Sequence, residues 1–276
     1  MKSFCLTLLT LLPPVKRFAS IVRVHGSLFV LLSALALPAT ANEFDALIAD
    51  ALAAEQTHDT ARALELFLAA DAARPNDAFI LQKISRQYSD STIDTPDLDE
   101  KRRRIEKALA YARRSLELEP DNAVYALSVA ICHGKLGLYS NARGRVESAR
   151  QVKTYAERAL ALDPRYDWAC HVLGRWHHEV ASLGATQRWL VKLIFGGLPD
   201  ASPATAVELL RRAVELAPDN PSHHIELGFA YLAANQSELA RTAWATGINL
   251  PSLEKHDDQA KQRARKALGE PGSTAS

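Results

Sequence analysis

"PSHHIELGFAYLAANQSELARTAWATGINLP", residues 221–251, decides how the rest of the chain is read. Two runs of helical apolar periodicity stand on either side of "ANQS", and prolines bracket the whole. Counted from Pro221 as position 1, Leu227 falls at 7, Gly228 at 8, Tyr231 at 11, Ala240 at 20, Trp244 at 24 and Leu250 at 30. That is the spacing of the tetratricopeptide repeat, a helix–turn–helix unit of about 34 residues. Small residues stand where the two helices cross closely, and large ones fill the space beside them.

Working outward, "ARPND", "LEPDN", "LDPRY" and "LAPDN" each close an apolar-periodic run and offer an Asp or Asn cap to the helix that follows. Their prolines, Pro75, Pro120, Pro164 and Pro218, with Pro251 after them, lie 45, 44, 54 and 33 residues apart. The longer units fit the same template once insertions are allowed. After Pro120, Ala130, Gly137 and Ala142 take the small positions, and about ten residues are added before Ala159 and Leu162. After Pro164, Leu173-Gly174 match positions 7 and 8, while Ala206, Leu210 and Ala213 match 20, 24 and 27 beyond an insertion of about 20 residues. Between Pro75 and Pro120 the extra residues fall in "SDSTIDTPDLD", and Phe44–Pro75 makes a weaker first unit. No useful length of strand-like alternation appears. The spacing predicts an all-α superhelix of four to five tetratricopeptide-type repeats with inserted helical segments, each unit burying its face on its neighbours.

The 276 residues are 47% hydrophobic and 24% charged, ordinary for a globular protein. The strongly apolar part is "SLFVLLSALAL" (27–37), preceded by Lys16, Arg17 and Arg23 and followed by the Ala39-Thr40-Ala41 cleavage signal. Residues 1–41 are therefore expected to be a secretory signal peptide, with an uncleaved inner-membrane anchor as the competing reading. Residues 42–268 are expected to form the repeat domain and 269–276 a disordered tail. Cleavage would leave 29 basic against 32 acidic residues. That balance supplies no basic footprint for nucleic acid. Cys132 and Cys170 remain, either as a disulfide, which an oxidising compartment permits, or as buried free thiols.

One stretch asks for a chemical reading. "HVLGRWHHEV" (171–180) crowds three histidines, an arginine and a tryptophan into ten residues. The concave face of such a repeat is lined by positions 2, 5, 9, 12 and 13 of its first helix. Here these are Trp168, His171, Arg175, His178 and Glu179, with His171, Arg175 and His178 on one helical face. Trp176 and His177 point towards neighbouring helices. His171 and His178 stand about 10 Å apart along the axis, too far to hold one metal ion together. No serine or cysteine stands with a base and an orienting group, so neither a catalytic nor a metal site is expected. The groove would carry apolar residues, Leu127 and Ile131 in one unit and Ile225 and Phe229 in another, with arginines at intervals, Arg86 and Arg175. Two readings stay open: a groove for a protein or peptide partner or an anionic phospholipid, and a solvated face on which Arg175 merely pairs with Glu179. The insert "TQRWLVKLIFGGLP" (186–199) is expected to dock into the groove or core, with contact to a membrane surface through Trp189–Phe195 as its alternative.

"LGRW" (173–176), "IFGGLPDASPATAVELLRRAVELAPDN" (194–220), and upstream "AICHGKLG" and "RVESARQVKTYAERALALDP" together resemble the regulator of microtubule dynamics family. The likeness covers roughly residues 100–255, and Phe195-Gly196 with Pro199 are its specific part. It implies a tetratricopeptide-like domain. Animal members are linked to microtubules, and one tethers mitochondria to the endoplasmic reticulum and binds phospholipid in its repeats. This sequence departs from them at the front, where an export signal on an Ala- and Arg-rich chain points to a bacterial envelope, periplasmic or envelope-associated. The resemblance thus implies a non-enzymatic scaffold or binding module, without a cofactor, for a protein, peptide or phospholipid partner.

Overall fold

The computed structural model describes residues 41–269, with side chains from Glu43 onward. Regular structure among them is helical throughout, with no strand. Five helical hairpins stack in order: α1 (Ala41–Gln56) with α2 (Thr60–Ala73), α3 (Ala78–Asp90) with α4 (Leu98–Leu118), α5 (Ala123–Leu138) with α6 (Ala142–Leu162), α7 (Asp167–Ala181) with α9 (Pro203–Leu216), and α10 (Pro221–Ala233) with α11 (Ser237–Asn249). An inserted helix, α8 (Ala185–Phe195), interrupts the fourth hairpin, and α12 (Asp257–Leu268) follows the fifth. Each second helix packs on the first helix of the next hairpin. First helices also touch along the stack, α3 with α5, α5 with α7 and α7 with α10. Against α10 and α11, α12 takes the place of a sixth first helix. The result is the expected all-α superhelix of tetratricopeptide type.

Its boundaries follow from the Pro–Asx punctuation. A proline cannot continue the preceding helix, and the Asx side chain then satisfies amide groups of the next first turn. Asp77 accepts from the amides of Phe79 and Ile80, Asn122 from Val124 and Tyr125, and Asn220 from Ser222. "LDPRY" differs from this expectation. Tyr166 takes the cap position of α7 without a side-chain bond, and Asp167 lies inside the first turn.

Close approach explains the glycine at position 8. A Cβ on Gly228 would stand 2.4 Å from the Trp244 indole, and one on Gly174 would stand 2.8 Å from Leu210. Trp244 is 2% exposed, and its Nε1 donates to the Ile225 carbonyl at 3.1 Å. The insertions appear as a 3₁₀ turn at Ser91–Asp94, as lengthened α4 and α6, and as α8. Cys132 and Cys170 are both buried free thiols, so the disulfide alternative does not hold. Burial pushes the Cys132 thiol up to about 11. No described helix is long and apolar enough to cross a membrane. Apart from Ala41 and Gly269, the expected signal or anchor and the expected tail lie outside the described residues.

Candidate functional site

Helices α7 and α10 place the histidine-rich stretch at their mutual contact. His171 is buried, and its Nδ1 lies 2.9 Å from Nδ1 of His223, while His223 Nε2 lies 2.9 Å from Asp167 Oδ2. Two facing ring nitrogens can share only one hydrogen, so one donates and the other accepts. Trp168 closes this cluster, its ring 4.9 Å from each imidazole. Burial first, and then the neighbouring His223, Arg175 and Arg263, push His171 well below the usual histidine value. Burial would raise the Asp167 carboxyl, but the hydrogen bond and charge of His223 outweigh it and bring it down. His171 is therefore a packed, neutral group joining two repeats rather than an open groove residue.

Arg175 does reach the concave side, but it is already paired. Its Nε donates to Glu179 at 2.7 Å, and its Nη1 lies 3.9 Å from the buried carboxylate of Glu226. Arg263 of α12 donates to the same Glu226 oxygen at 2.8 Å and covers the Phe229 ring, which also packs edge-on against Trp244. Glu226 first among these neighbours holds the Arg175 guanidinium charged even above its usual range. His178 is partly buried, lowered by that burial, and its Nδ1 lacks a hydrogen-bond partner. Trp176 and His177 pack inward as expected: Trp176 Nε1 donates to the Ala149 carbonyl at 2.6 Å, and His177 Nδ1 accepts from the Ser202 amide at 3.3 Å.

The other half of the concave face is covered by the chain itself. Residues 251–256, between α11 and α12, cross to groove positions of α3 and α5. Glu254 accepts from Arg86 at 2.6 Å, and His256 Nε2 lies 3.0 Å from Asp90, with Lys135 Nζ 3.1 Å from the same nitrogen. Lys255 reaches Thr60 at 2.7 Å and Asp94 at 2.8 Å. Burial alone would raise the Asp90 carboxyl, but His256, Lys135 and Arg86 together hold it far below the carboxylate range. At the root of the strap the buried Asp257 accepts from the amides of Leu253 and Glu254 and from the Ser222 hydroxyl. Arg86 is thus a strap anchor. Leu127 and Ile225 are buried in the core, Ile131 packs against that core, and none of the three forms an open apolar wall.

The insert behaves opposite to the expectation that it docks into groove or core: none of the residues of α8 is buried. Trp189, Leu190, Leu193 and Ile194 are 61%, 41%, 66% and 60% exposed. Spaced i, i+1, i+4 and i+5, they share one helical face. Val191 and Phe195 turn towards the body, half-buried. The base of the insert is well held. Leu183, Leu198 and Ala201 pack against Val152, Trp176 and Val180. Gly196 and Gly197, both with positive φ (78° and 90°), end the helix, and their amides bond to the Lys192 and Val191 carbonyls. Only glycine adopts such backbone freely. The reversal brings the Phe195 and Gly197 carbonyls together under Arg150, which donates to both. This gives Phe195-Gly196, part of the family likeness, its physical meaning.

Several groups were not found from the sequence: Asp167, Glu226, Arg263, and the strap with Asp90 and Lys135. The template held a usable signal for Glu226 and for the contact of His171 with His223. Adjacent first helices touch, so position 5 of one unit meets position 3 of the next, which pairs His171 with His223. Position 9 likewise meets position 6, pairing Arg175 with Glu226.

A hairpin stack with this punctuation and these position-8 glycines defines a tetratricopeptide-type repeat protein. A solved thermophilic TPR protein from Thermus thermophilus superposes with a TM-score of 0.59, covering 82% of this chain and 98% of that one at 17% identity. The chain belongs to the Regulator of microtubule dynamics protein 1-3 family, whose model matches residues 46–271. It is 27% identical over 194 residues to Regulator of microtubule dynamics protein 1 of Bos taurus, and 26% identical over 171 residues to that of Homo sapiens. Those matches take in 70% and 62% of this chain but 61% and 54% of the relatives' own lengths.

Proposed function

We propose that the protein is a non-enzymatic repeat scaffold of the cell envelope, exported or anchored through residues 27–37, and that its docking surface is the face of α8. One observation carries this reading: four large apolar side chains stand in solvent on a helix whose base is firmly fixed. Contiguous exposed apolar patches on a fixed element commonly mark interaction sites. The repeat fold and the regulator-named relatives favour a scaffold. The microtubule in the relatives' name is not carried over to this chain. A second reading keeps the original site, a protein or peptide chain, or a phospholipid, on the concave wall between α7 and α12. The unpartnered Nδ1 of His178 favours it.

A photoreactive amino acid placed at Trp189 or at Phe229 of the full chain, in its native cells, separates the two. Adducts from position 189 and none from 229 are expected. Adducts from 229 alone would move the site to the concave wall and end the α8 reading.

A further inference from the structure

Resting on α8 as the docking surface, we infer that its occupant is the surface of an anionic phospholipid bilayer. The patch is a convex ridge of one tryptophan, two leucines and an isoleucine, the shape that enters a deformable apolar medium. A protein partner would instead have to supply a matching groove. Charge points the same way. Lys192 stands at the edge of the ridge next to Trp189, α8 contains no acidic residue, and the Lys192 ammonium is held by no partner, whereas Arg188 lies on the opposite side of the helix with Val191. At the far end of the ridge a shallow hollow of about 370 Å³ opens between α6 and α8. Ile194, Phe195 and Val146 floor it, and Arg143, Arg150 and Glu147 rim it. Glu147 lies 3.6 Å from Arg150 and Arg150 also holds two carbonyls, which leaves Arg143 exposed and unpaired beside the apolar floor. An apolar helical face bordered by unpaired cations is the pattern of a helix lying in the headgroup region, its apolar side about 5–10 Å deep. A phosphate group of the same lipid layer then meets Arg143 and Lys192.

The test uses the full chain, wild type and variants carrying the same N-terminal segment, with vesicles of phosphatidylcholine alone or mixed with phosphatidylglycerol. Trp189 is the most exposed of the four tryptophans, so quenching by brominated lipid reads its insertion, with Trp189→Phe as the blank. Mixed vesicles are expected to quench Trp189 and pure phosphatidylcholine to do so weakly. Exchanging Leu190, Leu193 and Ile194 for serine should abolish quenching. Exchanging Arg143 and Lys192 for glutamine should weaken binding to mixed vesicles about 25-fold, since each basic side chain at an anionic surface is worth about fivefold. Absence of Trp189 quenching with both vesicles overturns the bilayer as occupant. If position 189 then still cross-links to a protein, the α8 reading survives and only the lipid falls; if it cross-links to nothing, both fall.

Discussion

The last hairpin and the inserted helix are built from similar residues and end in opposite states. α10 and α11 carry Ile225, Leu227, Ala230, Ala240, Ala243 and Trp244, all buried. α8 carries Trp189, Leu190, Leu193 and Ile194, all exposed. Apolar content does not separate the two segments; register does. In the hairpin Trp244 sits above Gly228 and Ile225 against Gly247, large residue on small at a fixed offset, while Leu232 and Leu239 on its outer faces stay exposed. The insert has no such complement on the body beyond Val191 and Phe195. Burial in this molecule is decided by what stands opposite a side chain.

The strongest way to break that contrast is to empty a filled position. Trp244→Ala should destabilise the protein by about 3–5 kcal/mol in urea unfolding, because it deletes a buried indole and orphans its hydrogen bond to Ile225. A cost under about 1 kcal/mol would mean the hairpin is no better packed than a surface helix. The reverse error, overfilling, should cost less. Gly228→Ala sets a methyl group 2.4 Å from an indole that has little room to retreat, and about 1–3 kcal/mol is expected by the same measurement.

These two positions also show what the sequence made legible. Fold, hairpin order and the position-8 contacts follow from spacing, because a repeat imposes the same neighbours in every unit. The concave face was much less legible. Its occupant, the strap at 251–256, comes from outside the repeat template and meets α3 at a separation of some 170 residues, so no periodicity announces it. The fate of α8 was hidden for a related reason: an amphipathic helix reads the same whether its apolar side meets protein or lies bare. The pairings of His171 with His223 and Arg175 with Glu226 were within reach, had adjacent units been laid side by side.

Acid offers a third, smaller test, and it acts on the filled region rather than on α8. His133 is lowered to about 4 by burial first and then by Arg113, and His171, His177 and His178 are also lowered. A histidine that stays neutral when folded but takes a proton when unfolded favours the unfolded chain as pH falls. Stability should therefore be full above about pH 6.5 and decline towards pH 4, with Asp90 and Asp167 adding to the loss below that range. Protonation of His171 in a groove, which would strengthen binding of an anion near pH 6.5, is not expected of a buried ring. A urea midpoint that stayed flat from pH 7 to pH 4.5 would contradict this account.

The smallest effect belongs to the exposed ridge itself. Replacing Trp189, Leu190, Leu193 and Ile194 together by serine removes more apolar surface than Trp244→Ala does, yet it should change the stability read from urea unfolding by about 1 kcal/mol at most. A surface exchange away from packed groups costs up to about 0.5 kcal/mol, and what the four cost here is helix propensity, where serine is poorer than leucine by roughly a few tenths of a kcal/mol each. None of the four side chains is buried in the fold, and the insert keeps its hold through Leu183, Leu198, Ala201 and the Arg150 clasp, which the exchange leaves intact. A loss of about 2 kcal/mol or more would mean that the ridge is covered by the protein's own body in solution. That result would remove the contrast between filled hairpin and bare helix, and with it the reason to look for a partner at α8.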